Sequence, residues 1–501
     1  MRRVNIELLA HRWAALRNAC SDQPLNRLLY DCLRVAVLDG SLAAGVRLPA
    51  SRDLAREFAL ARNTVMHAYA QLTAEGYLST LTGSGTYVAS VLPERSQQPA
   101  PVHLRAPGAS AGRATGSALS VRGQALAGEP RASVSHWGAF VPGVPDVTEF
   151  PHRRFAQLLA RWQRHAPPEW RSYVSGGGHP ALRAALVEHL RETRSVHCEP
   201  DQIVIAEGSH QAIDLVTRLM ADANDLAWVE EPGYWGLRGL LEINGLRVRG
   251  IPVDSEGMAP RSSDWEQAPR LVFVTPSHQY PLGSVMSLRR RLDLLEQARR
   301  HDSWIVEDDY DSEFRYAGRP IAALQGLRPD ARVIYIGTFS KTAYPGLRIA
   351  YLVLPHELAS AFRAAYPQLY RQGNLATQAA LAEFMQQGHY ASHVRRMRLI
   401  YAARRAALLA LIERHLGPGW VHPCDSPAGL HLVLRLPDGV DDLRVKSLVA
   451  QSGVIVRALS DYCGERGSMS GLLLGFAGIS EPRMLAPFQA LVTAIRQAGT
   501  N

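Results

Sequence analysis

Apolar residues recur at steps of three and four along residues 25–36, a spacing that predicts an amphipathic helix. Two more helices are predicted over 51–58 and about 62–75, with only a short break between them. Two short strands, 77–81 and 86–88, then flank a glycine-rich turn. The first 91 residues are therefore predicted to form a small helical domain that ends in a β-hairpin.

The periodic pattern stops in residues 92–135, which are rich in proline, alanine, glycine, serine and arginine. Large apolar residues are scarce there, so the segment cannot bury enough surface to fold by itself. We therefore expect a flexible linker between the first domain and the remainder of the chain.

Residues 136–501 alternate helical patterns with short apolar runs that are rich in β-branched residues. The runs are 203–205, 226–229, 271–274, 304–306 and 333–336. Apolar runs of this length between helices are typical of parallel strands whose two faces are both covered. The pattern predicts a large α/β domain built on a mostly parallel sheet.

Composition narrows the class of protein. A chain of 501 residues, with 47% hydrophobic and 20% charged residues, is long enough for two or three globular domains. Five scattered cysteines favour reduced thiols in the cytoplasm over a disulfide framework or a zinc site. No apolar run approaches the length of a membrane span, so no membrane partner is expected. The net charge of +9 permits an anionic partner without requiring one.

Two short helices at a tight turn, followed by a hairpin, predict a winged helix-turn-helix whose second helix enters the major groove of double-stranded DNA. The first residues of that helix, which would reach the base edges, are Arg62, Asn63, Thr64 and His67. Candidates for phosphate contacts are Ser51, the predicted N-cap of its helix, Arg52, and Ser84 and Thr86 on the wing. The alternative is a helical hairpin that contacts another protein.

Four segments of this first domain closely resemble the GntR family of bacterial transcriptional regulators. They are 45–55, 62–65, 68–78 and 83–88. Ala61 departs from the family pattern, which usually has a serine there to cap the recognition helix. Loss of that cap should cost roughly 1 kcal/mol. The resemblance implies that this domain binds promoter DNA.

Lysine is nearly absent from the chain, with Lys341 and Lys446 the two lysines among 55 basic residues. An imine with an aldehyde needs a primary amine, which arginine does not supply. Lys341 follows the predicted strand 333–336, a position that suits a functional amine. Lys446 fits an ordinary surface residue, and chance retention is the alternative explanation for both.

An acidic cluster follows the predicted strand 304–306 and contains Asp308, Asp309 and Asp311, with Tyr310 between them. A carboxylate there can keep a pyridine nitrogen protonated, and a tyrosine can donate to a phenolate oxygen. The cluster has simpler explanations too, since Asp308 can cap a helix and three carboxylates can bind a metal. We expect no metal site.

Groups suited to a phosphate follow another predicted strand, 203–205. Ser209 and His210 open a helix whose first N–H groups can bind an anion, and Arg348 offers a charged fork. Tyr234 can lay its ring on a cofactor. Taken one at a time these residues are an ordinary turn, a surface cation and a core aromatic, but their order along the chain favours a single site.

Residues 136–501 resemble the fold-type I aminotransferases, and the whole chain resembles the MocR/GabR subgroup of GntR-family regulators. The resemblance implies three regions: a winged helix-turn-helix domain over 1–91, a linker over 92–135, and an aminotransferase-like domain over 136–501 with a small C-terminal α+β subdomain. It also implies a homodimer, pyridoxal 5′-phosphate as the cofactor, and a small-molecule effector that the large domain senses.

The resemblance gives each cofactor residue a role. Lys341 would be the catalytic residue that forms the imine with the cofactor, with Asp308 at the pyridine nitrogen and Tyr310 at the phenolate oxygen. Tyr234 would stack on the ring and Tyr280 would lie near the cofactor oxygen. The phosphate would be held by Ser209, His210, Thr338 and Arg348, and by Tyr173 of the partner subunit.

Several positions depart from the aminotransferase pattern. Leu473 stands where an arginine usually binds the substrate carboxylate, Gly236 offers no cation, and His210 stands where glutamine is common. Arg238 and Arg457 are candidate substitutes. We therefore expect common α-amino acids to react poorly and the effector to be pyridoxal phosphate itself or an amine. Two alternatives stay open: an active aminotransferase with an added DNA-binding domain, and a regulator whose large domain is only a dimerisation scaffold.

Overall fold

The computed structural model describes residues 6–19, 23–81, 84–90, 119–127, 137–173, 176–318, 320–328, 330–371, 373–464 and 469–499. The chain divides into two compact units, Met1–Thr115 and Gly116–Asn501. The segment predicted to be a linker, 92–135, lies mostly outside the described residues. Within it, Val121–Ala127 forms a short helix, which the segment's composition does not suggest.

Within the described residues, the first unit packs four helices against a two-stranded sheet. The helices are α1 (Ile6–Ala19), α2 (Leu25–Leu38), α3 (Ser51–Glu57) and α4 (Arg62–Ala74). The strands are β1 (Leu78–Leu81) and β2 (Gly85–Val88), which pair antiparallel. Leu29, Leu33, Val65 and Leu72 are fully buried, so the three- and four-residue spacing of apolar positions forms the core as predicted.

The ends of the helices in this unit differ in part from the prediction. The N-cap prediction for Ser51 is wrong, because the first turn of α3 closes on the carbonyl of Ala50 and Ser51 is already helical. Ala61 is the N-cap of α4 and makes no side-chain capping bond. Helix α1 lies before the first predicted element and joins the core through Trp13, which stacks on Phe58 with ring centroids 5.7 Å apart.

The second unit is the large α/β domain. Its helices are α5 (Val121–Ala127), α6 (His152–Arg164), α7 (Pro180–Arg194), α8 (Ser209–Met220), α9 (Trp235–Ile243), α10 (Leu288–Arg300), α11 (His356–Leu369), α12 (Leu375–Gln386), α13 (His389–Leu416), α14 (Asp442–Ala450) and α15 (Glu481–Gly499). The strands of its main sheet are β3 (Ile203–Ala206), β4 (Leu226–Glu231), β5 (Arg247–Asp254), β6 (Gly257–Met258), β7 (Leu271–Val274), β8 (Trp304–Asp309), β9 (Val333–Thr338) and β10 (Ala350–Val353).

The main sheet has the strand order β3-β10-β9-β8-β7-β4-β5-β6. Strands β6 and β10 run antiparallel to their neighbours, and the other strands run in one direction. The mostly parallel sheet is therefore confirmed, and each predicted run lies in one of its strands. Strand β5 is less apparent in the sequence because it is only partly buried and alternates arginines, Arg247 and Arg249, with apolar residues.

The direction of the strands brings distant parts of the chain to one edge of the sheet. Strands β3, β4, β8 and β9 all end at this edge, and β10 starts there, with Ala350 opposite both Thr338 and Ala206. Ligands of open α/β sheets bind outside the carboxyl ends of the strands. The residues that follow these strands, and Arg348 just before β10, therefore lie around one cleft.

A smaller antiparallel sheet forms the C-terminal part of the chain. Its strands are β11 (His431–Arg435), β12 (Arg457–Ala458) and β13 (Gly471–Gly475), in the order β11-β13-β12. Helices α13 and α15 pack beside it and share its apolar core, which includes Leu432, Leu474 and Phe488. This arrangement confirms the expected α+β subdomain. None of the helices in the described part of the chain is long and apolar enough to cross a membrane.

Candidate cofactor site and DNA-reading surface

Lys341 lies just beyond the end of β9, and its side chain is half-buried. Its Nζ donates a hydrogen bond of 2.6 Å to the carbonyl oxygen of Gly143. Burial lowers the pKa of Lys341 below its usual value, and the carboxylates of Asp311 and Asp308 oppose that change. A lowered pKa increases the fraction of neutral amine, which is the nucleophilic form.

Asp308 lies near the end of β8, the strand beside β9, and pairs in register with Ile336. Its Oδ1 atom is buried and has no hydrogen-bond partner among the described residues. Burial, aided by the neighbouring Asp309, raises the pKa of Asp308 to about 7, whereas Lys341 lowers it. Burying a carboxylate oxygen without a donor is costly, so this position is suited to a donor that a ligand supplies.

The other carboxylates of the acidic cluster have partners of their own. Asp309 forms an ion pair of 2.6 Å with Arg194 and accepts a hydrogen bond of 2.6 Å from Tyr335. Asp311 lies 3.0 Å from Nδ1 of His278. Among the described residues, no His, Cys, Asp and Glu side chains converge in the way that a bound metal requires. The cluster thus divides into one unpaired and two paired carboxylates.

Three tyrosines line the wall of the cleft. Tyr234 immediately precedes α9, and its hydroxyl lies 2.7 Å from Nε2 of His210 at the start of α8. The Tyr280 ring lies 6.1 Å from the Tyr234 ring, and its hydroxyl lies 3.0 Å from that of Tyr462. Tyr310 lies 5.7 Å from Tyr280 between ring centroids. These contacts connect the start of α8 to the acidic cluster.

A group of donors stands where α8 begins. Ser209 is the first residue of this helix, whose exposed N–H groups favour an anion. Arg348 donates a hydrogen bond of 2.7 Å to the carbonyl oxygen of Glu207. Thr338, at the end of β9, donates a hydrogen bond of 3.0 Å to Ser340. This edge of the sheet therefore presents hydroxyls, helix N–H groups and a guanidinium from a single chain. These are the kinds of donor that a phosphate requires.

Tyr173 is the one predicted cofactor residue that its own chain does not bring to the cleft. The side chain is 84% exposed, and its ring lies 5.3 Å from the guanidinium of Arg371. Its role in a partner's site stays a prediction.

The two candidate substitutes for the missing arginine differ in their surroundings. Arg238 forms an ion pair of 2.9 Å with Glu231. Arg457 in β12 is directly opposite Leu473 in β13 and makes no ion pair with a described residue. Residues directly opposite on paired strands present their side chains on the same face. Arg457 therefore projects from the same face of the small sheet as the residue that stands in place of the usual arginine.

Comparison with known proteins gives a matching family for each of the two units. Residues 147–469 match the family model described as aminotransferase class I and II, and residues 25–88 match that of bacterial regulatory proteins, gntR family. The chain is 40% identical to the probable rhizopine catabolism regulatory protein MocR of Rhizobium meliloti, over 95% of this chain and 94% of that protein. The chain belongs to the MocR/GabR subgroup of GntR-family transcriptional regulators. Another relative of this chain is the HTH-type pyridoxine biosynthesis transcriptional regulator PdxR of Corynebacterium glutamicum, 33% identical over 90% of this chain and 92% of that protein.

Solved structures resemble the large domain of this GntR-family regulator. The kynurenine aminotransferase of Pyrococcus horikoshii superposes with a TM-score of 0.68 and 26% identity, over 75% of this chain and 97% of that one. An archaeal alanine:glyoxylate aminotransferase gives 0.67 and 25%, over 73% and 92%. The fold family of class I and II aminotransferases binds pyridoxal phosphate. The regulator thus joins a DNA-binding domain to a cofactor-binding fold.

The regulator's predicted DNA-reading residues lie at the start of α4 and on the wing. Arg62, Asn63 and His67 are exposed, Thr64 is half-buried, and Arg52 is exposed on α3. The Arg62 Nε atom lies 3.5 Å from the Ser51 hydroxyl, so the two helices meet at this point. On the wing Thr86 is half-buried, and the Ser84 hydroxyl lies 2.7 Å from that of Tyr87.

Some functional candidates are absent from the sequence-based prediction. Met66 is 48% exposed on α4, one helical turn from Asn63, where an apolar side chain can contact a thymine methyl. Helical spacing from Asn63 would have identified it. His278 contacts both Tyr310 and Asp311, but nothing in the sequence pattern connects positions so far apart.

Proposed function

We propose that this transcriptional regulator carries pyridoxal 5′-phosphate on Lys341 and couples the state of that site to promoter binding. The observation that supports the cofactor best is the buried, unpaired Oδ1 of Asp308 near an amine whose pKa is lowered by burial. A protonated pyridine nitrogen would supply the donor that Asp308 lacks.

The residues of the cleft fit the remaining parts of this cofactor. When bound, the cofactor supplies an aldehyde that a primary amine can condense with and a ring that withdraws electrons. Lys341 contributes that amine, and Tyr234 contributes an aromatic face. Ser209, His210, Thr338 and Arg348 provide donors for the phosphate.

The effector we infer is an amine that carries an acid group, or pyridoxal phosphate itself. A carboxylate needs a cation when it leaves water. Arg238 is already paired with Glu231, whereas Arg457 faces the phenols of Tyr234 and Tyr280 and opposes their rise in pKa. Arg457 is therefore the better candidate for the effector's acid group. Its position on β12 instead of β13 would disfavour substrates shaped for an ordinary aminotransferase.

A contact within the large domain suggests how the site could influence the DNA-binding domain. Helix α5, near the start of the second unit, contacts α9. Helix α9 begins directly after Tyr234, which lines the cleft. A ligand that moves Tyr234 would shift an existing equilibrium in the position of α5. Two DNA-reading domains in a homodimer would then bind paired half-sites with a different spacing.

The experiment that tests this function follows the cofactor by visible absorbance and DNA binding by fluorescence anisotropy. We expect a yellow protein, and borohydride reduction followed by peptide mapping should place the cofactor on Lys341. Lys341→Ala should lose the covalent link while keeping its fold, whereas the control Lys446→Ala should keep both. Mapping to Lys446, or the absence of a visible band, would refute the assignment.

The same preparation tests regulation. The promoter affinity of the wild-type protein should change when pyridoxal phosphate or an acid-bearing amine is added. The promoter affinity of Lys341→Ala should not change on either addition. The amine scan covers α-amino acids, ω-amino acids and polyamines. Steady turnover of an amino donor with a keto acid would instead make the protein an active aminotransferase.

A further inference from the structure

His278 is buried beside the acidic cluster, in the loop between β7 and α10, with 2% of its surface exposed. Its Nδ1 lies 2.9 Å from the Tyr310 hydroxyl and 3.0 Å from Oδ2 of Asp311. Gly429 packs closely against the ring, since a Cβ atom at that position would overlap it. A single ring nitrogen, Nδ1, therefore faces two oxygen atoms.

That nitrogen can carry either a hydrogen or a lone pair. With a lone pair it could accept one hydrogen bond, and a protonated Asp311 would compete with Tyr310 for it. With a hydrogen it can donate to both oxygens at once, and Asp311 stays a carboxylate. Burial raises the pKa of Asp311, and the facing His278 opposes that rise. The arrangement with Nδ1–H thus satisfies all three groups.

The other ring nitrogen agrees with this tautomer. Nε2 of His278 is buried and has no hydrogen-bond partner among the described residues. A hydrogen on Nε2 would be an unsatisfied buried donor, so a neutral ring with Nδ1–H fits best. The other titratable groups facing the ring are His431, at 5.4 Å between ring centroids, and Asp425, which is paired with Arg405.

The tautomer determines what Tyr310 can do. Burial raises the pKa of Tyr310 well above its usual value, and the nearby negative charge of Asp311 adds to this rise. The phenol therefore keeps its hydrogen. If the Tyr310 oxygen accepts a hydrogen bond from His278, the hydroxyl hydrogen of Tyr310 remains available to donate to a ligand. If Nδ1 of His278 were the acceptor instead, Tyr310 would donate that hydrogen to His278 and not to a ligand.

We propose that Asp311 and His278 are positioning residues that direct the Tyr310 hydroxyl towards the phenolate oxygen of the bound cofactor. Asp311 holds the Nδ1–H tautomer of His278, as a buried carboxylate orients the histidine of a catalytic triad. His278 then donates to Tyr310, and Tyr310 donates to the cofactor. This inference rests on the proposed cofactor, and it adds two residues that do not touch it.

The test is the pH titration of the visible absorbance band of the holo-protein. A donor at the phenolate oxygen stabilises the deprotonated form of the chromophore, so Tyr310→Phe should raise the midpoint. Asp311→Asn and His278→Leu should raise it in the same direction, by about one pH unit, the size expected for a lost hydrogen bond to a charged oxygen. His278→Asn, whose amide can donate from near the Nδ1 position, should stay close to the wild-type midpoint.

A double variant separates positioning from general damage. Asp311→Asn combined with Tyr310→Phe should titrate like Tyr310→Phe alone, because Asp311 acts through Tyr310. Asp264→Asn is the matched control, because Asp264 is a buried carboxylate that accepts a hydrogen bond from the backbone N–H of Arg261 and lies before the start of β7, at the end of the sheet away from the cleft. Its loss should leave the midpoint unchanged.

The outcomes are distinct. An unchanged midpoint in Asp311→Asn, or additive shifts in the double variant, would overturn the positioning role while leaving the cofactor in place. A wild-type protein without a visible band would refute the proposed cofactor instead.

Discussion

Gly208 and Arg348 are packed so closely that position 208 has no room for a side chain. A Cβ atom there would overlap the guanidinium of Arg348. Gly208 is also the N-cap of α8 and has a φ of +102°, which few residues other than glycine adopt. The glycine thus lets an arginine from before β10 lie over the first turn of α8, where a phosphate is expected.

Gly208→Ala should weaken the binding of pyridoxal phosphate at least tenfold, or about 1.4 kcal/mol, because Arg348 must move away from the phosphate position. Cofactor titration followed by visible absorbance measures the change. Gly388→Ala is the matched control, since Gly388 has a φ of +75° but nothing within 4 Å of an added Cβ. Both variants should lose some stability from the strained φ. Equal cofactor affinity in the two variants would contradict the role of Arg348.

Asp308 should make the stability of the apo-protein fall as the pH rises. Its pKa is about 7 in the folded protein and 3.8 ordinarily, so between these values the folded chain holds a proton that the unfolded chain has released. The stability that this group contributes is therefore complete below about pH 4 and is lost as the pH rises through about 7, by up to the order of 4 kcal/mol.

Urea unfolding of wild type and Asp308→Asn at pH 5 and pH 8 measures this loss. The similarly buried Glu230 and Glu307 are present in both proteins, so the difference between the two proteins reports Asp308 alone. Bound cofactor should reduce the difference, because a ring N–H stabilises the carboxylate. Parallel pH profiles for apo wild type and variant would exclude this behaviour.

Mixed dimers test whether Tyr173 serves the partner's site. Co-expressed Tyr173→Ala and Lys341→Ala chains should form a dimer with one fully wild-type site, which combines Lys341 of one chain with Tyr173 of the other. Each homodimeric variant should bind the cofactor weakly or without a covalent link, whereas differently tagged mixed dimers should bind one cofactor per dimer with wild-type affinity. Weak binding in the mixed dimer, or a monomer in light scattering, would mean that Tyr173 does not act across subunits.

Arg62→Ala should weaken binding to the cognate promoter by roughly 1–3 kcal/mol, the range for a lost bidentate base contact. Binding to random duplexes should change much less, and the measurement is fluorescence anisotropy at fixed salt. Arg483→Ala, an exposed arginine in the large domain, removes the same charge as a control. Equal losses on specific and random DNA would instead show that Arg62 holds phosphate.

Moving the arginine between strands tests the effector site. Arg457→Leu should weaken the response to acid-bearing amines about 10- to 100-fold, the range for a lost hydrogen bond to a charged group, and should barely affect plain amines. The double variant Arg457→Leu with Leu473→Arg places the cation on the opposite strand and should favour ordinary α-amino acids. The shift of the visible band on ligand addition measures both. An unchanged response in Arg457→Leu would remove Arg457 from the effector site.

The sequence by itself determined most elements of the fold, with α1, α5 and β5 among the exceptions, and it indicated candidate residues for the site. Apolar spacing in residues 25–36 and the buried runs along the main sheet are local patterns, and the core they form follows from them. Lys341 and Asp308 could be proposed as site residues because each lies close after a recognisable strand and carries a side chain suited to one part of a cofactor. Arg348 was proposed for its charged fork alone, since β10 is not among the predicted strands.

Only the tertiary structure decided which of these groups have partners. Asp308 and Asp311 are three residues apart, yet one is unpaired and the other faces His278, because Asp308 lies in β8 and Asp311 lies in the bend beyond its end. Arg457 and Leu473 are opposite each other because β12 and β13 pair in one register. Contacts of this kind depend on the order and register of strands, which local sequence patterns do not specify.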